Sequence, residues 1–166
     1  MSFFDVFKDA NICYGDDGTI RQNYEEVYMG MNLGDRLRQV LVWEDYDDFD
    51  AYDLIHSDKY QKEFIFKLFQ HIALGGSVCQ YETNLQEYLK IIKMLYKDLM
   101  SVAKDPETQE IKCYSHVFRI DEIDGYDSKM LYSYKEYDHP QNCFYVIVDP
   151  INWHVNFFYN KWVSHW

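Results

Sequence analysis

The apolar pattern of this chain changes period partway along, and that change most narrows the folds open to it. Phe64, Ile65, Leu68, Phe69 and Ile72 fall at i, i+1, i+4, i+5 and i+8, the spacing of a helix with one broad apolar stripe. With Ser57 or Asp58 as cap, and Lys62, Lys67 and Gln70 facing away, this predicts a helix over 58–74. Burying five such side chains contributes on the order of 10 kcal/mol gross, so the segment belongs to the core. A second helix is predicted from about Asn84 to about residue 97, with Leu85, Tyr88, Leu89, Ile92 and Leu95 at helical spacing. Beyond it the period falls to two. DLMSVAKD, a turn at Asp105-Pro106-Glu107-Thr108 and EIKCYSHVFRI read as a hairpin. Residues 129–137 read as a further strand, and CFYVIVD (143–149) is β-branched enough to be a buried one. Asp149-Pro150-Ile151-Asn152 then turns the chain, and 153–159 return beside it. Helices followed by antiparallel hairpins predict an α+β fold, with a helical N-terminal half packed on a C-terminal antiparallel β-sheet built from hairpins.

The first third is less regular. A short helix is expected over 2–10, with Ser2 as cap and Phe3, Val6 and Phe7 on one side. Asp16-Asp17-Gly18 make a turn before a short strand from Thr19 to Tyr24, and 31–42 are weakly helical. At 166 residues the chain has the length of a single domain, with 1–57 as a less regular extension.

Composition limits the partners. Sixteen Tyr, eleven Phe and four Trp argue for a packed chain. The formal charge is −12, with a pI near 4.8. Nucleic acid and anionic membranes are therefore disfavoured, and proteins with basic surfaces are favoured. No segment approaches the apolar length of a membrane span, and no apolar run reads as a signal peptide. The four cysteines, Cys13, Cys79, Cys113 and Cys143, form no CxxC pair. Free and mostly buried thiols in a reducing cytosol are expected.

Chemistry was sought at Gly75-Gly76-Ser77 and at Cys79. A phosphate cradle follows a strand and opens a helix, where free N–H groups and the positive dipole end lie. These glycines follow a helix instead, so Gly75 reads as its C-terminal stop, in the positive-φ conformation glycine allows. Cys79 lacks an active-site signature, and a buried structural thiol is the commoner setting. HxxxH, HExxH, CxxC and GxSxG are all absent. The run from Asp45 has Asp50 where a calcium loop needs glycine and His56 where it needs glutamate. Asp121–Asp127 lacks the remaining ligand spacing. No catalytic, cofactor or metal residues are assigned, and a cysteine- or histidine-dependent enzyme is the least favoured reading.

Two surfaces stand out for binding. Seven acids lie between Glu44 and Asp58, interleaved with aromatics. Trp43, Asp45, Tyr46, Asp47, Asp48, Phe49 and Asp50 form an acidic-aromatic patch suited to a cationic partner. At the C-terminal end Trp162 and Trp166 either fold back on the sheet or anchor a partner.

The blocks EFIFKLFQHIALGGSVCQYE, LKIIKMLYKDLMSVAKDPETQEI and FYVIVDPINWHVNFFY occur in one order. In them the chain resembles the cilia- and flagella-associated protein 300 family, from about Phe3 to Tyr159. Leu74-Gly75-Gly76, Cys79-Gln80-Tyr81-Glu82, Tyr96-Lys97-Asp98-Leu99, Lys104-Asp105-Pro106 and Val148-Asp149-Pro150 carry the resemblance. The family's further N-terminal segment is absent here, and the tail after Tyr159 diverges. The resemblance implies a non-enzymatic factor of cytoplasm and cilium or flagellum, tied to assembly or transport of axonemal dynein arms. Dynein assembly factors or axonemal dynein components are then the expected partners, and a resident structural component of the axoneme is the alternative.

Overall fold

A computed structural model describes residues 2–43, 49–75, 81–124 and 138–163. They group into two compact units, one ending at Ile92 and the other comprising Lys93–Val163. Helices dominate the N-terminal half, and the antiparallel hairpin sheets lie mostly in the C-terminal half, which makes the fold α+β.

The first unit opens with a 3-10 turn, Ser2–Phe4, and a single helical turn, α1 (Val6–Asp9). A short pair follows, β1 (Cys13–Tyr14) with β2 (Thr19–Ile20). Next comes the hairpin β3 (Val27–Tyr28) with β4 (Met31–Asn32). No spacing or turn signal marks this second hairpin. Its two turn residues, Met29 and Gly30, have φ of 50° and 81°. Two positive φ values suit a tight hairpin turn, but methionine stands where asparagine or aspartate usually announces one. The helices α2 (Arg36–Val42), α3 (Phe49–Ile55), α4 (Asp58–Gln61), α5 (Phe64–Leu74) and α6 (Leu85–Leu99) complete the half. The boundary between the units falls within α6.

Residues 58–74 form two helices where periodicity predicted one. Glu63 is extended (φ −86°, ψ 122°) and breaks the run. The break has a packing reason. In one continuous helix Tyr60 and Phe66 would point about 120° apart. Here both are buried, with ring centroids 5.9 Å apart. Phe66 joins Phe4, Phe7 and Phe69 in a cluster of fully buried rings. The Phe7–Phe69 and Phe4–Phe69 centroids are 4.9 and 5.1 Å apart. The buried stripe of α5 is therefore Phe66, Phe69 and Ala73 with Leu68 and Leu74, while Phe64, Ile65 and Ile72 are half-buried. Nearly every face of α5 is apolar, so spacing alone could not choose between the stripes. As expected, Gly75 closes the helix with φ 71°, its N–H donating to His71 O at 2.9 Å.

β2 also ties this region to the α5–α6 connection. Ile20 N donates to Thr83 O at 2.8 Å, and Leu85 N donates to Gly18 O at 2.9 Å. Gly18 has φ +71°, and a Cβ there would come within 3.1 Å of Leu85 Cβ, so glycine suits both the turn and the approach. Asn84 caps α6 by accepting from Gln86 N at 2.8 Å.

The second unit holds a small pair, β5 (Val102–Lys104) with β6 (Ile111–Cys113). Its other sheet has the order β7 (His116–Arg119), β8 (Cys143–Asp149), β9 (His154–Asn160). The predicted hairpin thus divides: its return arm supplies both β6 and β7, and β7 pairs with β8 instead. The strand expected over 129–137 lies outside the described residues.

The aromatic cluster yields a prediction. Phe69→Ala, at a fully buried position, should lower unfolding free energy by about 3–5 kcal/mol, the usual range for a buried Phe→Ala change. Denaturant titration measures this. A loss below about 1 kcal/mol would mean that these rings do not form a packed core.

Candidate protein-binding surfaces

Of the acidic-aromatic residues singled out from sequence, Trp43 ends α2 half-buried, in extended backbone. Phe49 opens α3, and Asp50 is exposed on it. Asp45, Tyr46, Asp47 and Asp48 lie outside the described residues, as does Trp166. Trp162 folds against its own unit: its ring stacks on His139 at 4.1 Å and 8°, and its backbone N–H donates to Asn142 Oδ1 at 2.8 Å.

Charge inside the first unit is used for structure. Asp35 caps α2 by accepting from Arg38 N at 2.9 Å, and it also pairs with the Arg38 guanidinium. Arg38 is buried, donates to Tyr88 Oη at 2.8 Å and lies 3.6 Å from the Tyr81 ring centre. Buried Gln39 is held as fully. It donates to Leu33 O and Tyr24 O at 2.9 and 3.1 Å, and accepts from Asn23 Nδ2 at 2.6 Å. The Gln39 amide, paired in this way, satisfies the demands of burial.

The thiols are placed unevenly. Cys13 and Cys143 are buried and Cys113 is exposed, so two of the three described thiols are buried, in keeping with the expectation of mostly buried ones. Burial raises the Cys13 thiol and pushes Cys143 up to about 12, so neither is a ready nucleophile at neutral pH. Ser77 and Cys79 lie outside the described residues. Among the described residues, no group of three or more His, Cys, Asp or Glu could hold a metal ion, and no helix is long and apolar enough to cross a membrane.

The two Asp-Pro turns work alike. Asp105 Oδ1 accepts from Glu107 N at 2.9 Å and Thr108 N at 3.1 Å. Asp149 Oδ1 accepts from Ile151 N at 2.9 Å and Asn152 N at 3.0 Å. Proline follows each aspartate and has no N–H, so the carboxylate takes the next two donors. The other Asp149 oxygen accepts from Ser101 Oγ and from Asn152 Nδ2, the latter at 2.7 Å. Asp149 thereby fixes the β8–β9 turn to the segment that follows α6. The Ser101 hydroxyl foremost, then the Asn152 donors, hold its carboxyl well below the usual carboxylate range.

That turn ends at Trp153, which is 90% exposed with φ 58°. The strand begins one residue later than spacing predicted, and Trp153 sits on the hairpin tip. Positive φ is an uncommon setting for a bulky residue. Alternation could not find this Trp, because it read the residue as the first of the strand.

The sheet has two unlike faces. Along β8, Cys143, Tyr145, Ile147 and Asp149 are buried and alternate with half-buried Phe144, Val146 and Val148. On the inner face Asn156 Nδ2 donates to Leu99 O at 3.3 Å. The outer face is wholly uncharged across its middle. One row crosses it as Phe118, Val146 and Phe157; on either side stand Phe144 with Tyr159, and exposed His116 with Val148 and Val155 at one edge. Phe118, Val155, Phe157 and Tyr159 are 53%, 51%, 63% and 47% exposed. Phe144 meets Tyr159 edge-on at 5.4 Å and Phe157 at 6.1 Å, which orders the aromatic surface. A contiguous exposed apolar patch marks an interaction site on a protein surface.

The family model for cilia- and flagella-associated protein 300 matches residues 1–160. The chain is 36% identical to the Paramecium tetraurelia protein of that name over 166 residues, covering all of this chain and 60% of the relative. It is 32% identical to the Chlamydomonas reinhardtii protein of that name over 150 residues, covering 90% of this chain and 56% of the relative. The chain thus spans less than two thirds of each relative's length. No solved structure matches it.

Asp149 gives a pH prediction. Because its folded carboxyl is held low, its stabilising contribution is present above the usual aspartate range near pH ~4 and is lost as pH falls below it. Asp149→Asn should lower the melting temperature at pH 7 and flatten its decline between about pH 5 and 2. Parallel slopes for the two proteins would remove Asp149 as the cause.

Proposed function

Since this chain belongs to the cilia- and flagella-associated protein 300 family, we propose that it is a non-enzymatic protein-binding factor in the assembly or transport of axonemal dynein arms, acting in cytoplasm and cilium. The observation that carries the mechanism is the uncharged aromatic face of β7–β8–β9 on a chain of net charge −12. On a strongly acidic chain, an apolar face of this breadth supports recognition of another protein. Its partners are proteins with basic surfaces, among them dynein assembly factors or axonemal dynein components.

In this reading the acidic run from Glu44 to Asp58 raises the encounter rate with basic partners, and the apolar face supplies residence time. Rim charges act mainly on association and its salt dependence, buried apolar contacts on dissociation.

Affinity purification from ciliating cells, split into cell bodies and salt-washed axonemes, tests the function. An assembly or transport factor should be found mainly in cell bodies, together with dynein arm subunits or their assembly factors. Retention in salt-washed axonemes would favour a resident structural component instead. Replacing Asp45, Asp47, Asp48 and Asp50 with Asn should slow association with a purified partner several-fold at low salt and flatten its salt dependence. An unchanged association rate would remove that run from the mechanism.

A further inference from the structure

The β7–β8–β9 sheet couples its apolar face to a charged end, and the pairing register shows where that end lies. Ile120 N donates to Phe144 O at 2.8 Å, and Cys143 pairs with Asn160. The exit of β7, the entry of β8 and the exit of β9 therefore share one end of the sheet. Exposed Asp121, Glu122 and Asp124 leave β7 there, and exposed Asp138 lies five residues before β8 in the sequence. Arg119 pairs with Asp121 at 2.8 Å, and Lys161 follows β9, so among the described residues this end is acidic on balance. The opposite end carries the Asp149 turn, whose carboxylate is engaged internally, and the exposed Trp153.

The dimensions of the face fit one kind of occupant. The seven-residue strands β8 and β9 run about 23 Å and the four-residue β7 about 13 Å, and three strands at about 4.8 Å spacing make a surface about 10 Å between its outer strands. An α-helix with side chains is about 10–12 Å across and covers about 23 Å in roughly 15 residues. Helix on sheet is also a standard way for an apolar sheet face to become covered.

We propose that the outer face of this sheet docks an amphipathic helix of a protein partner, about four turns long. Its apolar stripe lies over Phe118, Val146, Phe157 and Tyr159, and its Lys or Arg residues stand at the end that meets Asp121, Glu122 and Asp124. The inference rests on the reading that the chain works through protein contacts, and adds to it the chemistry and shape of what is gripped. Charge separates this occupant from two others. A second copy would bring a further net charge of −12 to the interface, and an anionic lipid surface would be repelled.

The test uses the intact chain and a fluorescent 18-residue synthetic helix with leucine at i, i+3, i+4 and i+7 spacing and Lys and Arg at one end. Anisotropy should report saturable binding. A scrambled peptide of the same composition, without the stripe, should bind at least tenfold more weakly. A stripe peptide with Glu in place of Lys and Arg should also bind more weakly. Phe157→Ser and Phe118→Ser lie at exposed positions on opposite edge strands. Each should weaken the stripe peptide at least tenfold while circular dichroism and melting temperature stay near the parent's. Glu122→Gln with Asp124→Asn should weaken it several-fold at low salt and little at high salt.

Equal binding of striped and scrambled peptides, or parent-like binding by both serine variants, overturns the proposal. So does a dimer in sedimentation that Phe157→Ser dissolves, because the face would then belong to a second copy. Binding to phosphatidylserine vesicles that Phe157→Ser abolishes overturns it in favour of lipid. Peptide binding without dynein-related proteins in the cell fractionation would sink the functional reading alone. Their co-purification without peptide binding would sink only the helix.

Discussion

The pairing of β8 with a neighbour on each side is the constraint on which the second unit depends. A strand hydrogen-bonded on both sides keeps its register, and a one-residue slip would turn every side chain to the other face. Here a slip would carry Cys143, Tyr145 and Ile147 outward and bring Phe144, Val146 and Val148 in. Both sets are apolar, so hydrophobicity alone discriminates weakly between the registers. Asp149 supplies the missing discrimination. Its carboxylate is committed to four donors at the end of the strand, from Ser101, Ile151 and Asn152. A shifted register would pull it off Ser101, the donor that lies outside its own turn. A polar clamp at one end thus lets both faces of the strand stay apolar, which is what makes an exposed aromatic face compatible with a single fold.

The first unit solves a different problem with different means. Its early segments are short: α1 has four residues, and β1 to β4 have two each. Elements of this size have no independent stability. They are ordered by what they bury against longer neighbours, chiefly Phe4 and Phe7 against Phe66 and Phe69 of α5. The Asp35–Arg38 pair, with Tyr88 and Tyr81 around the guanidinium, adds direction to that burial. Apolar contacts tolerate rotation, whereas a buried guanidinium must meet its partners at set positions, so the approach of α2 to the start of α6 is fixed. Truncating either member of that pair would strand the other charge in the interior.

Sequence reasoning reached the features whose cause is local. The glycine stop at Gly75, the Asp-Pro turns and the strand character of β8 each depend on a few adjacent residues, and each was legible. The break at Glu63 was not, because it exists to let Tyr60 and Phe66 enter one core, a requirement no window of spacing contains. The β3–β4 turn was hidden by Met29, which occupies positive φ without being a residue that advertises it. The candidate surface was half legible. Strand β9 was recognised, and its alternation implied one outward set. That the outward set would be Val155, Phe157 and Tyr159 follows from the pairing partner and register, which sequence did not supply. Charged and tryptophan-bearing runs stand out in a sequence because they look unlike core. A face built from the same residues as a core carries no such mark.

In the proposed mechanism, an acidic chain with an apolar face divides the work of recognition in a way either feature alone could not. Net charge acts over a Debye length of about 8 Å at physiological salt, so it biases approach and orientation before contact. It contributes little once surfaces meet, since exposed ion pairs are worth about 0–1 kcal/mol each. Apolar area does the reverse. It has no reach, but its removal from water sets how slowly the complex parts. On this chain the acids from Glu44 to Asp58 belong to the first unit and the aromatic face to the second. A partner steered by one and held by the other should show an association rate that falls with salt and a dissociation rate that hardly responds. That signature separates this mechanism from a wholly ionic contact, in which both rates would move, and from a wholly apolar one, in which neither would.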